Sequence, residues 1–134
     1  MRKVIILLLL QIAFFIPMDN VFAKDITLTT PKENANVEWR TLVQGTASGV
    51  KTVWVIVHSL ETSEYWVQPK AMVTKKGNWK VKVYIGNVND SDNSRDFEIR
   101  AIANPYENIT VGQIYGIWPA GELNSDVVRV VKLK

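Results

Sequence analysis

Hydrophobic positions along this chain recur with a period of two. The clearest run is Trp79-Lys80-Val81-Lys82-Val83-Tyr84-Ile85, where Trp79, Val81, Val83 and Ile85 share one face and Lys80, Lys82 and Tyr84 the other. Successive side chains of a strand point to opposite sides, so this run is a half-buried strand, entered by a turn at Lys75-Lys76-Gly77-Asn78. Residues 96–103 repeat the pattern, with Phe97, Ile99 and Ala101 set against Glu98 and Arg100. Residues 25–29 form a short version with Ile26 and Leu28 inward. In residues 41–47 the set Val43, Gly45, Ala47 faces the core, because the alternate set contains the polar Gln44 and Thr46.

Residues 52–59 break the alternation. Val53-Trp54-Val55-Ile56-Val57 is apolar on both faces, as in a strand covered on both sides or one whose outer face binds something. Residues 127–134 are also apolar on both faces until Lys132, and the terminal lysines suit a protected edge. Residues 64–68, stopped by Pro69, read as a short edge strand, and residues 71–74 as a brief eighth strand. Turn residues punctuate at 31–36, 48–49, 86–94, 104–105 and 119–125. No segment shows a period of 3.6. About seven short antiparallel strands in one domain predict an all-β, immunoglobulin-like two-sheet sandwich. The alternative is a five-stranded OB-fold barrel, which usually carries a helix that this pattern lacks.

The N-terminal segment does not belong to that domain. Arg2 and Lys3 precede an apolar run at residues 4–16, Pro17 interrupts it, and Val21-Phe22-Ala23 places small residues where a signal peptidase reads. The apolar run is shorter than the roughly 20 residues a spanning helix needs. Residues 1–23 are therefore expected to be a signal peptide and residues 24–134 the exported domain, secreted or periplasmic, with no stable membrane insertion after cleavage. The chain has no cysteine, so packing alone must hold the domain. The net charge of +3 falls by one when Arg2, Lys3 and Asp19 leave. A small excess read as spread along the chain predicts neither nucleic-acid binding nor a polybasic membrane patch.

The ordered motifs resemble a prokaryotic extracellular immunoglobulin-like module. They are Pro31 after the first strand, Val43-Gln44-Gly45, Val53-Trp54-Val55-Ile56-Val57, Tyr65-Trp66-Val67-Gln68-Pro69, Gly77-Asn78-Trp79, Phe97-Glu98-Ile99-Arg100-Ala101, and Trp118-Pro119 before the last strand. The likeness covers nearly all of residues 24–134. It departs from antibody-type domains in that no cysteine pair brackets Trp54, the candidate for the core site of the third strand. The resemblance implies a fold and an extracellular setting, without a reaction or family site residues.

Chemistry-bearing residues are few. His58 is the only histidine, so a catalytic triad without it, or a zinc site built on several imidazoles, is out of reach. Its place near a strand end suits a sheet edge or a loop bond. Residues 87–94 offer hard oxygen ligands for calcium, with Asp90 and Asp92 the metal candidates, but Arg95 and Ala101 stand where an EF-hand needs Gly and Glu. Asn89-Asp90-Ser91 and Asn108-Ile109-Thr110 fit the glycosylation sequon. Five tryptophans, Trp39, Trp54, Trp66, Trp79 and Trp118, either fill the core or stack on a ligand. Tyr65, Trp66 and Trp118, with Tyr106 and Tyr115, lie beside strand ends rather than inside an alternating run. The expectation is a non-enzymatic binding or adhesion module without a cofactor. Its ligand is a protein or a carbohydrate, and Tyr65, Trp66 and Trp118 are the candidate contacts. The alternatives are a carbohydrate-binding module and a periplasmic inhibitor or partner-binding protein.

Overall fold

The computed structural model describes residues 23–88 and 95–133. The expected signal peptide up to residue 22, the calcium candidates Asp90 and Asp92, and the sequon at Asn89 lie outside the described residues. Eleven strands are found among those described: β1 (Asp25–Thr30), β2 (Ala35–Val37), β3 (Arg40–Ser48), β4 (Thr52–Ser59), β5 (Tyr65–Val67), β6 (Ala71–Met72), β7 (Asn78–Tyr84), β8 (Asp96–Pro105), β9 (Ile114–Tyr115), β10 (Gly121–Asn124) and β11 (Val128–Lys132). The seven expected strands are β1, β3, β4, β5, β7, β8 and β11, and the brief eighth is β6. The remaining short strands, β2, β9 and β10, fall in segments whose turn residues hide them.

Two sheets result. One has the order β1-β3-β7. The other runs β2-β11-β8-β4-β5-β9, with β10 added on β8 and β6 on β4. No strand of one sheet pairs with a strand of the other, so the molecule is a sandwich and not a barrel. Every pair is antiparallel except β2 with β11, which is parallel. The cause is a change of sheet. After β1 the chain leaves the first sheet at Pro31 and lies down as β2 along the last strand of the second.

The core fills the space between the sheets. Val43, Ala47, Trp79 and Val83 come from the three-stranded sheet, and Val53, Val55, Val57, Phe97, Ile99, Ala101 and Val130 from the larger one. Trp79 is 2 % exposed. Its ring lies across Gly45, its cross-strand partner, and its indole nitrogen donates to Thr46 O at 3.0 Å. The period-two registers of β1, β3, β7 and β8 are those read from the sequence.

Three expectations are corrected. Trp54 does not occupy the core site of its strand: Val53, Val55 and Val57 point inward, and Trp54 lies half-buried on the outer face. The last strand is not an edge: β11 sits between β2 and β8, and Lys132 is buried with its ammonium donating to Asn87 O at 2.6 Å. Nor is β5 outermost, because β9 pairs beyond it. A lysine tail and a following proline suggest edges, but they do not reveal a neighbour supplied by a distant segment.

Candidate functional site

The outer face of the eight-stranded sheet explains why β4 is apolar on both sides. Ile56 of β4, Val67 of β5, Ile102 of β8 and Ile109 form a second buried cluster, rimmed by Trp54, Tyr65, Tyr115 and Trp118. The cover is the segment 106–120, which joins β8 to β10 and lays Ile109 and Trp118 onto the sheet. Residue types alone cannot separate a covered outer face from a ligand-binding one, since both demand apolar side chains.

Registry brings His58 opposite Tyr65 on one side and Glu98 on the other. The imidazole stacks on the Tyr65 ring at 3.8 Å between centroids and 8° between planes. Trp118 meets Tyr65 edge-on at 4.8 Å and His58 at 5.9 Å, and the Arg100 guanidinium lies 5.5 Å from the centroid of Trp118. His58 Nδ1 is 3.0 Å from Glu98 Oε1 and Nε2 is 3.0 Å from Thr62 O. His58 thus bonds a loop, as expected, but from a buried place in a central strand rather than at a sheet edge.

The structure brings Tyr65 and Trp118 together and sends Trp66 elsewhere. Tyr65 and Trp118 are half-buried, and their planes cross at 68°, so they do not form a flat platform for a sugar ring. Trp66 alternates to the opposite side of β5 and is paired with Val57. Its indole nitrogen donates to Glu64 at 3.3 Å. With Pro69, Tyr84, Val111 and Ile114 it lines a groove of about 410 Å³. The Gln68 side-chain amide oxygen (Oε1) accepts from Tyr84 N at 2.8 Å and joins the two sheets under this groove.

Segment 106–120 is held rigidly. Gly112 N donates to Val67 O and Val67 N to Gln113 O, a pairing that Gly112 allows with a φ of +88°. Thr110 N donates to the Gln113 side chain at 3.0 Å, and Tyr106 N to Ala120 O at 3.1 Å. On this fixed frame four large apolar side chains are turned outward: Tyr106 is 73 % exposed, Val111 50 %, Ile114 53 % and Ile117 74 %. Tyr106, Tyr115, Ile117 and Trp118 also line a second cleft, of about 290 Å³, with Glu107 at its margin. The exposed aliphatic residues were missed in sequence because turn residues and isolated hydrophobics do not form a periodic pattern. Asn108 of the second sequon is exposed in the same segment.

Among the described residues no group of three or more His, Asp or Glu side chains is placed to hold a metal ion, and no helix is long and apolar enough to cross a membrane. At Glu122, hydrogen bonds from Asn104 and Lys24 and the Lys24 charge hold the carboxyl below its usual range.

No protein-family model and no curated protein matches this sequence. Among solved structures, the crystal structure of an engineered protein aligns over 84 % of this chain with a TM-score of 0.48 and 15 % identity. This chain spans 20 % of that protein's length.

Proposed function

We propose that residues 24–134 form an exported, prokaryotic immunoglobulin-like module that binds a partner protein without catalysis. The contact surface is segment 106–117 together with the adjoining Trp66–Tyr84 groove. The observation that carries this reading is the combination of a hydrogen-bonded frame with Tyr106, Val111, Ile114 and Ile117 turned outward. A loop that exposes apolar side chains without anchoring would lose conformational freedom on binding. One already fixed avoids much of that entropy cost, and binding surfaces concentrate on loops held by a rigid scaffold. Aliphatic β-branched side chains offer neither flat rings nor hydrogen bonds to a sugar, so the chemistry favours an apolar protein surface.

In this reading Trp66 and Ile114 make direct contact, while Tyr65 and Trp118 hold the segment in place from beneath. The double variant Ile114→Asp/Ile117→Asp, tested against partners cross-linked in the exported fraction, loses its partner with an unchanged melt. Trp66→Ala weakens the same contact with little effect on melting. A partner retained by both variants refutes the reading. The second reading, carbohydrate binding, is favoured by the Tyr106, Tyr115 and Trp118 cleft. A neutral glycan that protects Trp118 fluorescence from quenching would support it. Export itself is checked by the N-terminus of the protein recovered outside the cytoplasm, expected at Lys24.

A further inference from the structure

We propose that the outer face of the three-stranded sheet is a binding site for an anionic polysaccharide. Charge is not evenly distributed in the folded molecule. Residues 65–88 contain five lysines and no Asp or Glu, and residues 41–60 contain no acid either. Folding places much of this material on one side. β7 turns Lys80 and Lys82 outward, opposite Gln44 and Leu42 of β3, and Arg40 lies in the same outward row over the Tyr84 ring. The turn before β7 adds Lys75 and Lys76. Among the described residues none of these five cations is in an ion pair.

Three of these cations border a cleft of about 920 Å³. Lys75, Lys76 and Lys80 line it together with Thr29, Thr46 and Thr74, and no carboxylate does. Gln44 and Asn78 complete the polar wall. The turn that carries Lys75 and Lys76 is fixed: Thr74 N donates to Asn78 O, Gly77 N to Thr74 O, and Ala47 N to Gly77 O. Gly77 permits this with a φ of +83°. The ammonium groups are therefore presented from rigid backbone, with Lys80 and Lys82 about 7 Å apart along the strand, a spacing set by two residues of extended chain. Unpaired like charges repel, and a polyanion in the cleft relieves that repulsion while hydroxyl and amide side chains meet sugar oxygens.

The same wall disfavours other polyanions. The cleft's aromatic residue, Trp79, is 2 % exposed with its nitrogen bonded to Thr46 O, so it offers no face on which a nucleic-acid base could stack. The site is concave and walled by a turn, whereas a bilayer surface needs a protruding apolar or basic element.

The test is calorimetric titration of the purified protein with heparin and with polygalacturonate, using neutral dextran, duplex DNA and phosphatidylglycerol vesicles in parallel. The expected result is binding to one or both anionic polysaccharides that weakens with added salt. Lys76→Gln/Lys80→Gln should lose about fivefold per lysine removed, the scale of one cation beside a polyanionic surface. Lys32→Gln/Lys70→Gln, with the same charge change outside the cleft, should bind as the parent does, and so should Ile114→Asp/Ile117→Asp. Absence of polysaccharide binding at low salt, equal loss in both lysine pairs, equal binding of dextran, or tighter binding of DNA or vesicles each overturns the proposal.

Discussion

Among the described residues Trp79 is the largest fully buried side chain, and Gly45 is the space that admits it. Trp79→Ala removes the ring and its bond to Thr46 O, and should cost about 3–5 kcal/mol in denaturant unfolding. A Cβ on Gly45 would overlap the Thr27 carbonyl oxygen and stand 2.8 Å from the Trp79 ring. Gly45→Ala should therefore destabilise by at least about 1–3 kcal/mol, as overpacked cores do, while Gly116→Ala, with open space around it, stays within about 0.5 kcal/mol. Trp79 was legible in sequence because it opens an alternating strand. Alternation puts Gly45 on the core face, but its specific role is not legible: that role depends on a ring of β7, with β4, β5 and β6 lying between in sequence. Trp54 was misread for the complementary reason, since a strand apolar on both faces gives no internal sign of which face is the core.

At the scale of elements, regular strands were legible and their neighbours were not. Alternation locates β1, β3, β7 and β8 because one face of each meets the core and the other meets water. It is silent on β2 and β9, which are too short to alternate and exist only because another strand supplies their ladder. The candidate site was legible in part. Tyr65 opens β5, Trp66 is its middle residue and Trp118 lies between β9 and β10; strand parity separates Trp66 from Tyr65, and only the path of segment 106–120 brings Trp118 onto Tyr65. If Trp118 fastens that segment, Trp118→Ala should cost about 0.5–3 kcal/mol and speed amide exchange at Gly112 and Gln113 more than in β4 or β8. A uniform rise in exchange would assign Trp118 to global stability instead. A second fastening ties the start of β1 to β10 through Lys24 and Glu122, 3.3 Å apart. Because the folded state holds the Glu122 carboxyl below its unfolded value, the contribution is present above the unfolded value and lost as pH falls through the folded one. Melts of the parent and of Glu122→Gln should therefore differ at neutral pH and converge in acid.

At the scale of the whole molecule, the two sheets present unlike outer surfaces. The larger is roofed by segment 106–120, which exposes Tyr106, Val111, Ile114 and Ile117. The smaller is open and carries uncompensated cations. A partner protein on the first and an acidic polymer on the second would occupy different surfaces of one rigid body, adjoining at Tyr84, and the variants that separate them lie in different elements. The overall charge gives no hint of this, because a small net total does not show where the cations collect.

The parallel pairing of β2 with β11 has a consequence in time. Ala35 pairs with Val130 and Val37 with Lys132, so residues from near the two ends of the described chain must meet to complete one sheet. Until β11 arrives, β2 has no ladder, residues 96–99 of β8 are unpaired on one side, and Val130 is missing from the core. A ladder closed between such remote segments is slow to form, on the scale of milliseconds to seconds for small β sandwiches. A chain emerging N-terminus first, from a ribosome or through a narrow conduit, therefore remains pliable until its final strand is free. Ending the chain at residue 126 should abolish the cooperative melt, and supplying residues 127–134 as a separate peptide should restore it. The last strand thus acts as the clasp that sets when the molecule becomes a solid body.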